Sequence, residues 1–351
     1  SMQTAIAYLM RRLDENTAHD NFLRSSFGMQ LDDADFLRER GRFESALALR
    51  HELIETPRRT QDRAHEHPDS PAQVARAFVN EPDTDFALPH NERHMRAVLE
   101  AHRTRSAFEV PLSIASETLM TNAQRDGFDP SRPGYVPYRH ALAGAAEIER
   151  ALSTAASAAA RFSQSSVQER ACLLQAVARG LRAARCDLIA SMVLDAGKRI
   201  DQADSEVSEA IDFAEYYAAT FSEHARQPEY RLEARGPVVV TPPWNFPLAI
   251  PAGGVLAALV AGNPVILKPA LETVLVAARL VEICHAAGVP RELLQLVLCE
   301  DEIGSLLIRD ARVAHVILTG ATSTARKFYE LRPELALLAE QLRSRGEDVQ
   351  R

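Results

Sequence analysis

The sequence predicts an α/β fold: a parallel sheet flanked by helices and preceded by a mostly helical N-terminal segment. Three observations predict it. Short apolar runs at 238–240, 264–267, 294–298 and 313–318 alternate with segments of helical periodicity, the pattern of parallel strands joined by crossover helices. The stretch 237–273, PVVVTPPWNFPLAIPAGGVLAALVAGNPVILKPALET, carries no charge between Pro237 and Lys268, so the helix within it must be covered on most sides. Residues 141–222 repeat apolar side chains at three- and four-residue spacing through Ile148 and Leu152, Leu173 and Val177, and Val207 and Ile211, which reads as helices lying over one face of that sheet.

Composition narrows the function. A length of 351 residues suggests about two domains, and 46% hydrophobic with 25% charged residues is the balance of a soluble globular protein. The net charge of -8, with no basic cluster, argues against a nucleic-acid surface. The four cysteines, Cys172, Cys186, Cys284 and Cys299, show neither a CxxC spacing nor nearby histidines, so buried free thiols in a reducing cytoplasm are expected and no metal site is. The longest apolar stretch, 247–267, is broken by prolines, glycines and Asn263, which excludes a transmembrane span. The first residues lead into a charged amphipathic helix and not into a leader peptide.

In chain order, residues 4–15 put Ile6, Leu9, Met10 and Leu13 on one helical face beside Arg11, Arg12, Asp14 and Glu15. Residues 31–61 are highly charged, and 57–70 reads as a linker or exposed loop. A capped helix is expected to begin near Asn91. FEVPLSI at 108–114 alternates as a strand, with Pro111 marking an edge. An alanine-rich helix spans 141–161, and Ser165 or Ser166 can cap the next, with Glu169 three residues after Ser166 as in a capping box. After Lys268, a helix over 273–287 stops at Gly288 with Pro290 beyond, and another covers 301–309.

Each strand of the uncharged unit ends in a polar group: Thr241 and Asn245 after the first, Lys268 after the second. Open parallel sheets bind ligands beyond the carboxyl ends of their strands. The strand at 313–318 runs into Thr319, Gly320 and Ala321, small residues that let a ligand approach the backbone at a helix N-terminus.

PPWNFP followed by GNPVILKPA resembles the signature of the NAD(P)-dependent aldehyde dehydrogenase superfamily. The resemblance implies a Rossmann-like NAD-binding sheet, with Asn245 donating to the oxyanion formed on the aldehyde and Lys268 bonding the adenosine ribose. Thr241, Pro243, Trp244, Thr319, Gly320 and Ala321 would line the cofactor. Glu272 would contact the ribose, although the family more often has its acid one place earlier, where this chain has Leu271. ELALLAE resembles the strand ending in the family's catalytic base, which points to Glu340; the tail at 341–351 is polar and unlike the family. The family's nucleophilic cysteine lies some thirty residues beyond that glutamate, and none of the four cysteines substitutes for it, so the chain alone is expected to be inactive.

YLMRRLDEN followed by FLR resembles the last helix of the proline dehydrogenase barrel, which implies that Tyr8, Arg11, Arg12 and Glu15 are the remnant of a proline site over a flavin, the guanidinium pair gripping a carboxylate. Together the two resemblances imply a piece of a bifunctional proline-catabolic enzyme: 1–30 from the end of the barrel, 31–71 a charged linker, and 72–340 the NAD-binding part of a dehydrogenase for L-glutamate γ-semialdehyde. FAD would belong to the parent enzyme alone, and the parent would be a homo-oligomer acting on small molecules. The alternatives are a non-catalytic nucleotide-binding or assembly fragment, and an aldehyde dehydrogenase of another substrate class.

Overall fold

The structure, a computed structural model, describes residues 2–18, 21–52, 59–66, 78–229 and 231–333. It divides into two compact units, Ser1–Thr60 and Gln61–Arg351.

The first unit contains α1 (Met2–Thr17), α2 (Phe22–Ser26) and α3 (Ala34–Leu49). Asn21 caps α2 by accepting from Leu23 N at 2.9 Å, and Asp33 caps α3 by accepting from Phe36 N at 2.7 Å. The highly charged stretch that follows Leu31 is helical over α3. Its charges are intrahelical pairs, Arg38 with Asp35, Arg40 with Glu44 and Arg42 with Glu39, which support a helix that buries no side chain. The apolar face of α1 is exposed at Ile6, Leu9, Met10 and Leu13.

The second unit begins with α4 (Pro89–Thr104). Asn91 does not cap it: Pro89 opens the helix after Leu88, and Asn91 is buried inside the first turn. Its side chain accepts from Arg63 N at 2.9 Å and donates to Asp85 O at 3.2 Å, which pins the preceding loop to the helix. The strand expected over 108–114 is two strands, β1 (Phe108–Val110) and β2 (Leu112–Ile114), that join different sheets. Pro111 has no N–H for a ladder, so the run changes sheet there. β1 is an edge, whereas β2 lies inside its sheet, between β3 (Glu117–Leu119) and β8 (Leu294–Leu296). β4 (Gln124–Asp126) and β5 (Tyr138–Ala141) complete the smaller sheet, in the order β1-β5-β4.

Four helices follow: α5 (Ala145–Phe162), α6 (Val167–Ala183), α7 (Arg185–Ala196) and α8 (Ile200–His224). The capping box at α6 has the expected form, with Ser166 N donating to Glu169 Oε2 at 2.7 Å and Glu169 N donating to Ser166 Oγ at 3.2 Å. α7 stops at Gly197, whose φ of 66° is left-handed and unfavourable for a side chain. A buried ion-pair network ties the incoming chain to this layer: Glu81 pairs with Arg182 at 2.8 Å and Arg185 at 3.0 Å, and Arg185 pairs with Asp204 at 2.8 Å.

The remainder alternates strand and helix: β6 (Val238–Thr241), α9 (Ala249–Val260), β7 (Val265–Leu267), α10 (Val274–Ala286), β8, α11 (Asp301–Arg309), β9 (His315–Leu318) and α12 (Thr322–Leu331). The larger sheet among the described residues has the order β3-β2-β8-β7-β6-β9, with β8, β7, β6 and β9 mutually parallel. β6, β7 and β8 are buried throughout, and β9 is a partly exposed edge. α9 packs so closely on β6 that a Cβ at Gly254 would stand 2.9 Å from Val240 Cγ1. The cysteines are less uniformly buried than expected, because Cys172 is exposed on α6 and Cys186 half-buried, while Cys284 and Cys299 are buried. No described helix is long and apolar enough to cross a membrane.

Asp195, buried at the end of α7, accepts from Tyr138 Oη at 2.6 Å and from Val276 N at 3.3 Å. Burial outweighs these bonds and pushes its carboxyl up from 3.8 to about 7. A carboxyl that holds its proton more tightly when folded loses stability as pH rises between the unfolded and folded values. Asp195 therefore destabilises the protein progressively from about pH 4 to about pH 7. Urea unfolding of Asp195→Asn, which stays neutral, should show a flatter fall of stability over that interval than the wild type; parallel curves would refute the assignment.

Candidate active site

The order of the sheet creates the site. From β6 the chain moves outward through β7 to β8, then returns to place β9 on the other side of β6. A crevice opens beyond the strand ends where the direction reverses. The strand ends are level there: Lys268 N donates to Val240 O at 2.9 Å, and Thr319 N donates to Thr241 O at 3.3 Å. Thr241 Oγ1 also donates to Ile317 O at 3.3 Å, fastening β6 to β9.

A cavity of about 1560 Å³ occupies this crevice. Thr241, Pro243, Trp244, Asn245, Lys268, Glu272, Thr319, Gly320 and Ala321 all line it. The structure thus gathers around one space every residue singled out between 241 and 321. Tyr8, Arg11, Arg12 and Glu15 lie in the other unit, on the exposed surface of α1, where Arg12 pairs with Glu15 at 2.8 Å and Arg11 lies 3.9 Å from it. Glu340 lies outside the described residues.

The two ends of the cavity differ. At one, the Lys268 side chain is mostly covered, and its ammonium is 3.9 Å from the exposed Asp301 carboxylate, a loose pairing that leaves donors for another partner. Gly304 makes room for it, since a Cβ there would come 2.7 Å from Lys268 Cε. At Gly320 a Cβ would meet nothing nearer than Leu318 Cδ1 at 3.8 Å, so the absent side chain leaves the crevice wall open. α12 starts just beyond, at Thr322, without a side-chain cap; Thr324 N donates back to Ala321 O at 3.0 Å, while the N–H groups of Thr322 and Ser323 make no hydrogen bond among the described residues and suit a phosphate or carboxylate.

The other end is the proline-rich turn. Trp244, Asn245 and Phe246 are exposed, whereas Pro242, Pro247 and Leu248 are buried. The Asn245 amide makes no hydrogen bond among the described residues, so its donors are available. The turn passes into α9, whose own first residues offer no polar side chain to its N–H groups. Glu206 of α8 supplies the acceptor: Leu248 N and Ala249 N donate to its Oε1 at 2.7 and 3.0 Å. Its other oxygen pairs with Lys198, whose ammonium lies 4.3 Å from the centre of the Phe246 ring. From sequence alone, the segment containing Lys198 and Glu206 reads as a helix and turn without chemistry. The available signal was position alone: Glu206 falls three residues after Ala203 and four before Ala210, on the helical face of α8 that is buried.

The thiols stand apart from this arrangement. Burial pushes Cys284 up to about 12 and both Cys186 and Cys299 to about 11, so at neutral pH these are protonated and poor nucleophiles. Cys299 sits beside Lys268, at the end of the cavity away from the turn, and among the described residues no three metal-binding groups cluster.

Comparison with known proteins assigns the class. A sequence profile of the aldehyde dehydrogenase family matches residues 121–339, and the chain belongs to that family. Among curated proteins it is 34% identical over 264 residues to 1-pyrroline-5-carboxylate dehydrogenase of Staphylococcus haemolyticus, covering 72% of this chain and 51% of the relative. It is 32% identical over 336 residues to the bifunctional protein PutA of Salmonella typhimurium, covering 92% of this chain and 24% of PutA. The structure superimposes on 1-pyrroline-5-carboxylate dehydrogenase from Thermus with bound NAD, with a TM-score of 0.70 and 32% identity over 74% of this chain and 52% of that one. The chain spans about half the length of the first of these relatives.

Proposed function

We propose that this chain is the NAD-binding part of an enzyme that oxidises L-glutamate γ-semialdehyde to glutamate in proline catabolism. The observation carrying the reading is the convergence of Asn245, Lys268 and Gly320 on one cavity at the reversal of the sheet. The relatives named above, and the NAD bound to one of them, support the choice of substrate and cofactor.

The residues present fit a dinucleotide. The Lys268 ammonium, held by the space at Gly304, donates to an adenosine ribose hydroxyl, and Glu272 accepts from that ribose. The uncapped start of α12 and the bare backbone at Gly320 receive the pyrophosphate. Thr241, Pro243, Trp244, Thr319 and Ala321 wall the channel towards the turn. When bound, NAD supplies the hydride acceptor. The Asn245 amide donates to the aldehyde oxygen as negative charge builds on it, and it does so from a turn stiffened by Pro242, Pro243 and Pro247. Glu340 is the base that activates water. The net reaction takes aldehyde, NAD and water to carboxylate, NADH and protons.

On this reading α1 is the end of a proline-oxidising module, with Tyr8, Arg11, Arg12 and Glu15 its carboxylate-binding residues and FAD its cofactor in the parent enzyme. The parent is a cytoplasmic homo-oligomer. The match to PutA, which extends over nearly the whole chain, favours this over an aldehyde dehydrogenase of another substrate class.

Two measurements test the proposal. Calorimetry should detect NAD binding to the purified chain, and Lys268→Met should weaken it about 10- to 100-fold, the worth of a hydrogen bond to a charged group. Gly304→Ala should weaken it in the same direction while leaving the urea midpoint close to wild type, because the added methyl displaces only the flexible end of Lys268; no heat with millimolar NAD would sink the cofactor reading. A polypeptide of these 351 residues alone should produce no NADH from the semialdehyde, since no thiol stands activated beside Asn245. Steady NADH formation would overturn that placement.

A further inference from the structure

We propose that the buried Lys198–Glu206 ion pair orients the Asn245 amide, making both side chains positioning residues for stabilisation of the oxyanion; this rests on the role given to Asn245 above. Asn245 makes no side-chain hydrogen bond of its own among the described residues, so the backbone of the turn sets the direction of its amide. That backbone is anchored on its near side by β6, where Thr241 O accepts from Thr319 N at 3.3 Å. On its far side the anchor is Glu206, which takes Leu248 N and Ala249 N on one oxygen at 2.7 and 3.0 Å. No side chain from the helix itself caps this start.

Glu206 can act there only with a counter-charge, because its side chain is 1% exposed. Lys198 provides it from just beyond the left-handed Gly197, where α7 gives way to α8. The same ammonium lies 4.3 Å from the centre of the Phe246 ring, the residue next to Asn245, in cation–π range. One ion pair therefore touches the turn at Phe246, Leu248 and Ala249. A simple helix cap would need only the last two contacts; the hold on Phe246 reaches the turn itself.

Trp244, the only tryptophan in the sequence, neighbours Asn245 and is 53% exposed, so it reports on the turn without any need for cofactor or turnover. Time-resolved fluorescence anisotropy of Trp244 should show at least a twofold larger fast-decaying fraction in Glu206→Gln and in Lys198→Met, and a wild-type value in Lys198→Arg. Arg185→Met breaks a buried ion pair of the same helical layer in which Arg185 bonds Glu81, Asp204 and Ser208 and no residue of the turn, and it should leave the anisotropy unchanged. Circular dichroism identifies the variants that fold, and one folded variant of the pair suffices for the test. The proposal is overturned if folded Glu206→Gln or folded Lys198→Met keeps the wild-type anisotropy, or if Arg185→Met loosens Trp244 equally. It is also overturned if neither Glu206→Gln nor Lys198→Met folds, since the pair would then hold the domain and not the turn. Because the readout is fluorescence of the protein without cofactor, a failure to bind NAD would not alter the anisotropy expected of any variant.

Discussion

The site depends on the position of β6 between two strands that reach it from opposite directions in the chain. β7 follows directly through α9, while β9 arrives only after β8 and α11 have been built on the far side of β7. The register aligns Val240 with Leu267 and Thr241 with Leu318, so three strand ends finish at one level. A slip of one residue in either pairing would turn every side chain on the strand to the opposite face and move Thr241 or Lys268 off the rim. The polar groups at 241, 268 and 319 thus share a cavity because of backbone pairing, which the Thr241 hydroxyl reinforces through its bond to Ile317 O.

A second constraint comes from the burial of α9. A helix that starts at the buried Leu248 and Ala249 cannot leave their N–H groups unmet, since each unsatisfied buried donor costs about 1–3 kcal/mol. The sequence after the proline turn has no side chain that could accept. Glu206 meets that need from another helix, and Lys198 makes the buried carboxylate tolerable. The helical layer of residues 145–224 is therefore more than a cover for the sheet. It reaches through to the turn and ties the exposed Trp244, Asn245 and Phe246 to a buried anchor only a few residues away.

The strands and helices beyond Pro237 were legible in the sequence because hydrophobic periodicity there is strong and its interruptions are glycines and prolines. The bounds of Asp301–Arg309 follow from the sequence to the residue, and the Ser166 capping box from two side chains three apart. The departures have physical causes. Dense charge in 31–61 does not by itself name an element, and the charges three and four apart within it stabilise a solvated helix, α3. Asn91 has the chemistry of a cap, but Pro89 suits the first helical position better and leaves the asparagine amide for a tertiary role. Pro111 marks a break correctly, although a single strand cannot reveal that the two sides of the break belong to different sheets. Lys198 and Glu206 escape notice because their importance lies in partners near residue 248, a relation that no local pattern encodes.

An amide such as Asn245 stabilises charge as it develops on an oxygen, but it cannot generate that charge. Generating it requires a nucleophile, and the buried thiols here are held protonated by the burial that makes them good core residues. Cys172 is exposed on α6, in the helical layer, and does not line the cavity. What the described residues provide is a binding surface with a polar, lysine-bearing end and an exposed end of Trp244 and Phe246 beside the edge strand β9. The Asn245 amide, without a partner among the described residues, lies on the cavity wall at that exposed aromatic end, three residues from the backbone N–H of Leu248 that Glu206 holds.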